Sequence, residues 1–414
     1  SRENHGRIIS TFAFPFEKKN GTIKNSKCSK GVICMRKLEQ YRQLVSEIRT
    51  DYLNGSRELK WCEDCKEVNL WTYWQGRGHM DAQVMLVGQD WGCAWDESAA
   101  AVIENVRAMN DGKTVYYMAG NDNPTDKLLT VLFESIGFDI SRDDPRLFFT
   151  NFVLGYRVKG TSGGFKKKWA DADAKYFRRL VEIISPRILL CLGKDTTRSV
   201  LNCFGLPMPT GSFNKIIEDK SNPFCVRLSD GNPVYIFALA HCGVMGTLNR
   251  NRGSGKKLLP DLQIQDWSRI RPILWSSPEL LHNYWVPTIK GLRSIIESDE
   301  RVAWCRTYSV YAVREDIYGI ERFFRKLLRE TYQNGLVISD YRKIMDELGL
   351  EEEKIIRSES DWVEQLSVNG AAACLAYHFR RDHFCEGSLI QNGLANGCIL
   401  RLMERLYSLL AVIS

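Results

Sequence analysis

Four apolar segments rich in β-branched and aromatic residues punctuate the first two thirds of the chain: Ala82–Gly88, Arg146–Val153, Arg187–Gly193 and Val234–His241. Their near-continuous hydrophobicity lacks the alternation of a strand with one wet face, and so predicts strands buried on both sides, as in a parallel sheet. Helical periodicity separates them, over Ser98–Met109, Asp126–Ile136, Ala172–Ile184 and Thr196–Phe204, with Leu128, Leu129, Leu132 and Phe133 sharing one face of the second. Strand alternating with helix predicts an α/β fold, an α/β/α layering around a central four-stranded parallel sheet. Upstream, Met35–Leu53 is amphipathic. Beyond about residue 270 the pattern becomes mostly helical, over Gly319–Asn334, Asp340–Leu348, Ser360–Phe379 and Gly397–Ile413. The division expected is therefore an N-terminal helix and Cys-rich segment over 1–75, a sheet-containing domain over 76–270 and a helical accessory domain over 271–414.

Composition narrows this picture. With 44% hydrophobic and 26% charged residues the chain is neither disordered nor fibrous. No apolar run approaches the roughly 20 residues of a membrane span, and no secretory leader opens the sequence. Most of the 13 cysteines sit in apolar strings, as reduced core thiols do. The expected compartment is the cytoplasm. Charge is uneven: residues 1–270 carry a net +9 and residues 271–414 a net −2, so a polyanion partner would meet the first part.

In open α/β sheets ligands bind past the carboxyl ends of the strands. The four predicted ends read Gly88-Gln89-Asp90-Trp91-Gly92, Thr150-Asn151-Phe152, Cys191-Leu192-Gly193-Lys194 and Ala240-His241-Cys242-Gly243. They offer a carboxylate, a carboxamide and an imidazole around one crevice, with glycines allowing close backbone approach. A metal-dependent nuclease would normally bring several carboxylates together, and only Asp90 stands at a strand end. A nucleotide cofactor is not expected, because the first turn has neither GxGxxG nor GxxxxGK[ST].

These four ends, in this order, resemble the uracil-DNA glycosylase superfamily: a GQDP- or GEAPG-like turn at 88–92, a strand ending in Thr150-Asn151, a Leu192-Gly193 strand end and an HPS-like loop at His241-Cys242-Gly243. The resemblance implies double- or single-stranded DNA as partner and hydrolysis of an N-glycosidic bond on a flipped-out nucleotide. It places Gln89 and Asp90 in the catalytic turn, with Asp90 orienting the attacking water, Asn151 on the base edge and His241 on the departing base. Gly88 and Trp91 would border the base. Met245, four residues after the histidine, takes the position of a wedge into the vacated stack. Arg250, Arg252, Lys256 and Lys257 follow as phosphate contacts. The basic run Lys166-Lys167-Lys168, interleaved with Phe165 and Trp169, is either a solvated face or a further backbone contact.

The chain departs from the family pattern in two places. The aromatic platform expected ahead of the second helix is missing from Ala119–Asp126, where Tyr116, Tyr117 or Trp91 would have to serve, and the proline of the HPS loop is replaced by Cys242. Polar Asn121, Asp122 and Asn123 point to a base larger than uracil, such as the hydroxymethylated and glycosylated cytosines of phage genomes, with antiviral defence as the role. Uracil repair and a non-catalytic DNA-binding relative are the alternatives. Cys62-x2-Cys65 stands where iron–sulfur branches place a Cys-x-x-Cys, but Gly155 and Tyr156 occupy the region of the remaining two ligands. With Cys28 and Cys34, four thiolates instead suit a structural Zn²⁺. The tail, with Arg380–Ser388 and Ile399–Leu402, resembles a bacterial domain of unknown function. Its His378, His383 and Cys385 are read as structural.

Overall fold

The computed structural model describes residues 27–55, 57–61, 79–92, 124–140, 144–157, 165–255, 258–297, 317–352, 355, 360–382, 390, 393–394 and 396–413. The four expected strands form β1 (Val84–Gly88), β3 (Leu147–Asn151), β5 (Ile188–Leu192) and β7 (Pro233–Leu239), mutually parallel. A fifth, β6 (Phe224–Arg227), joins the edge antiparallel to β7, so the sheet runs β3-β1-β5-β7-β6 rather than stopping at four strands. Its residues alternate between half-buried and exposed, which is why an edge strand this short raises no apolar run. A two-residue ladder of β2 (Trp91–Gly92) and β4 (Tyr156–Arg157) stands apart from the main sheet.

Both faces of the sheet are covered. Met85, Val87, Phe148, Leu189 and Cys191 point into one core with α1 (Lys27–Asn54), α3 (Lys167–Ile184) and α4 (Lys194–Cys203). Val84, Leu86, Leu147, Phe149, Leu190 and Phe237 point into the other, with α2 (Pro124–Ser135). Each strand thus feeds alternate residues to two dry layers, which accounts for the unbroken hydrophobicity of its sequence. The helix expected over Ser98–Met109 lies outside the described residues.

The C-terminal helices do not stand off from this sheet. They share its second core: α7 (Asp261–Ser268), α8 (Arg271–Trp275), α9 (Val286–Ile296), α10 (Ile317–Gln333), α11 (Tyr341–Glu347), α12 (Val368–Asp382) and α13 (Cys398–Ala411) add Trp267, Trp275, Leu292, Leu327, Met345, Leu375 and Leu406 to the cluster that holds Leu86 and Phe149. The fully buried Arg271 ties the two parts, its Nε donating to the Ser135 carbonyl at 2.8 Å and its Nη2 to Asp340 at 2.6 Å. Among the described residues no helix is long and apolar enough to cross a membrane.

Candidate active site at the carboxyl edge of the sheet

The second and third main strands flank the first on opposite sides, so the strand order reverses between β1 and β5. An open α/β sheet forms its ligand crevice at this switch point, just past the carboxyl ends. Strand β1 delivers Gly88, Gln89 and Asp90 there, and Gly88 stands in register with Asn151 of β3. Pairing continues past both strand ends, the Phe152 and Val153 amides donating to the carbonyls of Gly88 (2.9 Å) and Gln89 (3.1 Å). On the other side β5 is followed by Gly193 with φ +92°, a conformation that only glycine adopts without strain, so no side chain projects from this strand end. Strand β7 leads into His241.

Asn151 is only 1% exposed, yet among the described residues neither its Nδ2 donor nor its Oδ1 acceptor has a hydrogen-bond partner. Burying an amide in this state costs about 1–3 kcal/mol for each unsatisfied group. A strand-end asparagine that merely capped backbone groups would have bonds to show for its burial.

The turn after β1 is organised by the β2/β4 ladder, which sets Gly92 opposite Arg157. Arg157 Nε donates to Asp90 Oδ2 at 2.7 Å, and Nη2 contacts the same oxygen. Burial pushes the Asp90 carboxyl upward, and hydrogen bonds and charge from Arg157, with a hydrogen bond from Gln89, pull against it. The Arg157 guanidinium lies 5.1 Å from the centre of the Trp169 ring. The loop bearing Arg157 is anchored below by the fully buried Asp173, which accepts from the Leu154 amide (2.9 Å), the Tyr52 hydroxyl and Arg57 (2.8 Å).

His241 is held from several sides. The Gly243 amide donates to Nδ1 at 2.9 Å, so Nδ1 is the acceptor and the proton of the neutral ring sits on Nε2. Burial lowers its pKa and favours that neutral form. The helix that follows, α6 (Val244–Arg250), packs so closely that a Cβ on Gly246 would stand 2.1 Å from the His241 carbonyl oxygen. Gln263 Nε2 reaches that oxygen at 3.2 Å, while its own Oε1 is buried without a partner. Thr196 Oγ1, in the first turn of α4, is likewise buried and unbonded.

The expected DNA contacts divide. Met245 is 67% exposed on the first turn of α6, with Val244 and Leu248 beside it. Arg252 is exposed and, among the described residues, its side chain bonds locally, to Asn249 at 3.0 Å. Arg250 is a correction: it is 4% exposed and forked onto Asp266 at 2.6 and 2.9 Å, with Glu218 at 2.8 Å, so its guanidinium is committed inward and does not serve a phosphate. Lys166, Lys167 and Lys168 form the N-cap and first turn of α3, all exposed, in a turn that holds no acidic residue of its own, and Lys167 pairs with Asp171 one turn on at 2.8 Å. Glu58 comes from elsewhere in the chain to meet Lys166 (2.9 Å), Lys168 and the Trp169 indole (2.9 Å), which hold its carboxyl down to about 2.

Tyr116, Tyr117, Asn123, Lys256 and Lys257, with Cys62 and Cys65, lie outside the described residues. Trp91 lies in β2, and Cys28 and Cys34 fall six positions apart on α1. Among the described residues no group of three or more His, Cys, Asp or Glu is arranged to hold a metal. Residues 314–411 match a family of unknown function, DUF6508. No curated protein matches the chain.

Within that matched segment His378 is buried, its Nε2 3.5 Å from Cys398 Sγ. Sequence reasoning missed Arg157, Asp173, Gln263 and Thr196, since nothing local marks an ion pair formed across a two-residue ladder.

Proposed function

We propose that the chain is a monofunctional DNA glycosylase that hydrolyses the N-glycosidic bond of a modified pyrimidine and leaves an abasic site. The supporting observation is the unpaired, buried amide of Asn151 at the crevice. One donor and one acceptor, adjacent and dehydrated, match the edge of a pyrimidine, and a base bound there would satisfy both groups. As the bond to the base breaks, positive charge builds on the sugar and negative charge on the base. The oxygen of a water then bonds the sugar carbon, one of its protons passes to the Asp90 carboxylate, and the base leaves with the bonding electron pair and takes up a proton from solvent. Asp90 would orient that water and favour the cationic sugar, and the Nε2–H of neutral His241 would bond the departing carbonyl oxygen. Lys194, exposed at the start of α4, is the one lysine at a main strand end, and the proposal gives it no Schiff-base role.

The substrate proposed is a modified cytosine of the hydroxymethylated or glycosylated kind, which a host would attack in phage DNA. The test is alkali- or heat-revealed strand breakage after incubation with glucosylated hydroxymethylcytosine DNA and with uracil-containing oligonucleotides, using Asp90→Asn as control. Free base and an intact abasic strand are expected from the modified DNA. Uracil release without action on the modified DNA would reassign the chain to repair, and scission without alkali or heat would exclude the monofunctional reaction. The structural zinc expected on Cys28, Cys34, Cys62 and Cys65 is not proposed, because Cys28 and Cys34 stand six positions apart on α1, about 9 Å along the helix axis, too far for two ligands of one tetrahedral ion.

A further inference from the structure

The glycosylase reading gives Asp90 a task but leaves its closest partner unused. Arg157 is 8% exposed and spends two nitrogens on one oxygen, Nε at 2.7 Å and Nη2 on the same Oδ2. Oδ1 is left outside this grip. A buried ion pair barely repays the desolvation of its two charges, so its stability alone does not account for its placement. Its position is better accounted for by geometry: the β2/β4 ladder exists over two residues, and those residues set the Asp90 turn against Arg157. Trp169 lies along the guanidinium at 5.1 Å.

We propose that Arg157 is a positioning residue for the reaction, holding Oδ2 of Asp90 so that Oδ1 faces the crevice and takes the attacking water. This inference rests on the glycosylase reading. Among the described residues Arg157, from β4, is the charged group acting on Asp90, while Gln89 adds a neutral hydrogen bond from its own turn. Lys166, from α3, reaches the Trp169 ring at 5.1 Å rather than the carboxylate. Loss of Arg157 removes the hydrogen bonds and the charge that pull the carboxyl down most, and leaves the Gln89 hydrogen bond alone against the burial that pushes it up. The protonated, unreactive acid then persists to higher pH.

The test compares wild type, Arg157→Gln and Arg157→Lys for single-turnover base release across pH, beside a ¹³C NMR titration of the Asp90 carboxyl in the DNA-free protein. Arg157→Gln is expected to slow release by about a hundredfold, in the range of a positioned acid–base group. Its acid limb and the Asp90 titration should both move to higher pH. Arg157→Lys retains a cation without the fork and should lose about tenfold, with the smaller shift. It also serves if the glutamine variant does not fold. A wild-type acid limb and Asp90 titration in both variants overturn the positioning role while leaving the glycosylase reading intact. A wild type that makes no abasic sites in any DNA overturns that reading, and an unshifted Asp90 titration in the variants would then also reject the influence of Arg157 on the carboxylate.

Discussion

Replacing Asn151 by leucine separates a binding amide from a structural one. Leucine has the same branching as asparagine, with two methyl groups in place of Nδ2 and Oδ1, and Asn151 sits at the end of β3 with both atoms buried and unbonded. Two orphaned groups at about 1–3 kcal/mol each set the gross relief. The slightly larger side chain gives back about 1–3 kcal/mol if the pocket resists it. At the middle of both ranges a net gain of about 2 kcal/mol is expected. For 414 residues the unfolding entropy is about 0.9 kcal/mol per kelvin near the transition, so the melting temperature should rise by about 1–3 °C. The same variant should release no base, the trade of stability against function expected of a site held unsatisfied for its ligand. Calorimetry and the abasic-site assay on one preparation read both quantities. An Asn151→Asp control, which buries a carboxylate with no described partner, should melt well below wild type. If leucine lowers the melting temperature by the equivalent of 1 kcal/mol or more, the amide is bonded in the folded protein and the base-reading role is lost.

His241 has a folded pKa below its ordinary value of 6.5, so its neutral form contributes stability that is fully present above 6.5 and lost as pH falls through the lowered value. Urea midpoints should therefore drop on acidification in wild type more than in His241→Gln, and equal slopes would contradict the buried neutral ring. Arg250→Ala should destabilise by about 3–5 kcal/mol in denaturant melts, because it strands the buried Asp266 carboxylate. Arg252→Ala should stay within about 0.5 kcal/mol of wild type in stability, and weaken DNA binding with a salt slope lower by about 0.9. Met245→Ala should leave the melting curve unchanged and slow base release from duplex more than from single strands; equal effects on both would remove the wedge role.

The sequence by itself determined the four parallel strands and their polar or glycine ends. Strands buried on both faces must be apolar throughout, so Val84–Val87 or Ile188–Leu192 announce themselves, and the residue at which the apolar run stops is the one that reaches the sheet edge. Asp90, Asn151, Gly193 and His241 were legible for that reason. Only the tertiary structure decided what each of them touches. Arg157 meets Asp90 through a ladder of two residues, too short to leave a periodic trace. Arg250 looks like its exposed neighbour Arg252 in sequence, yet it is turned inward by Asp266, sixteen positions away on the next helix. The helices beyond residue 270 read as a separate unit because their periodicity differs from that of the sheet region. Their apolar faces nevertheless have no dry partner except the sheet, and burial against Leu86 and Phe149 made one core of two patterns.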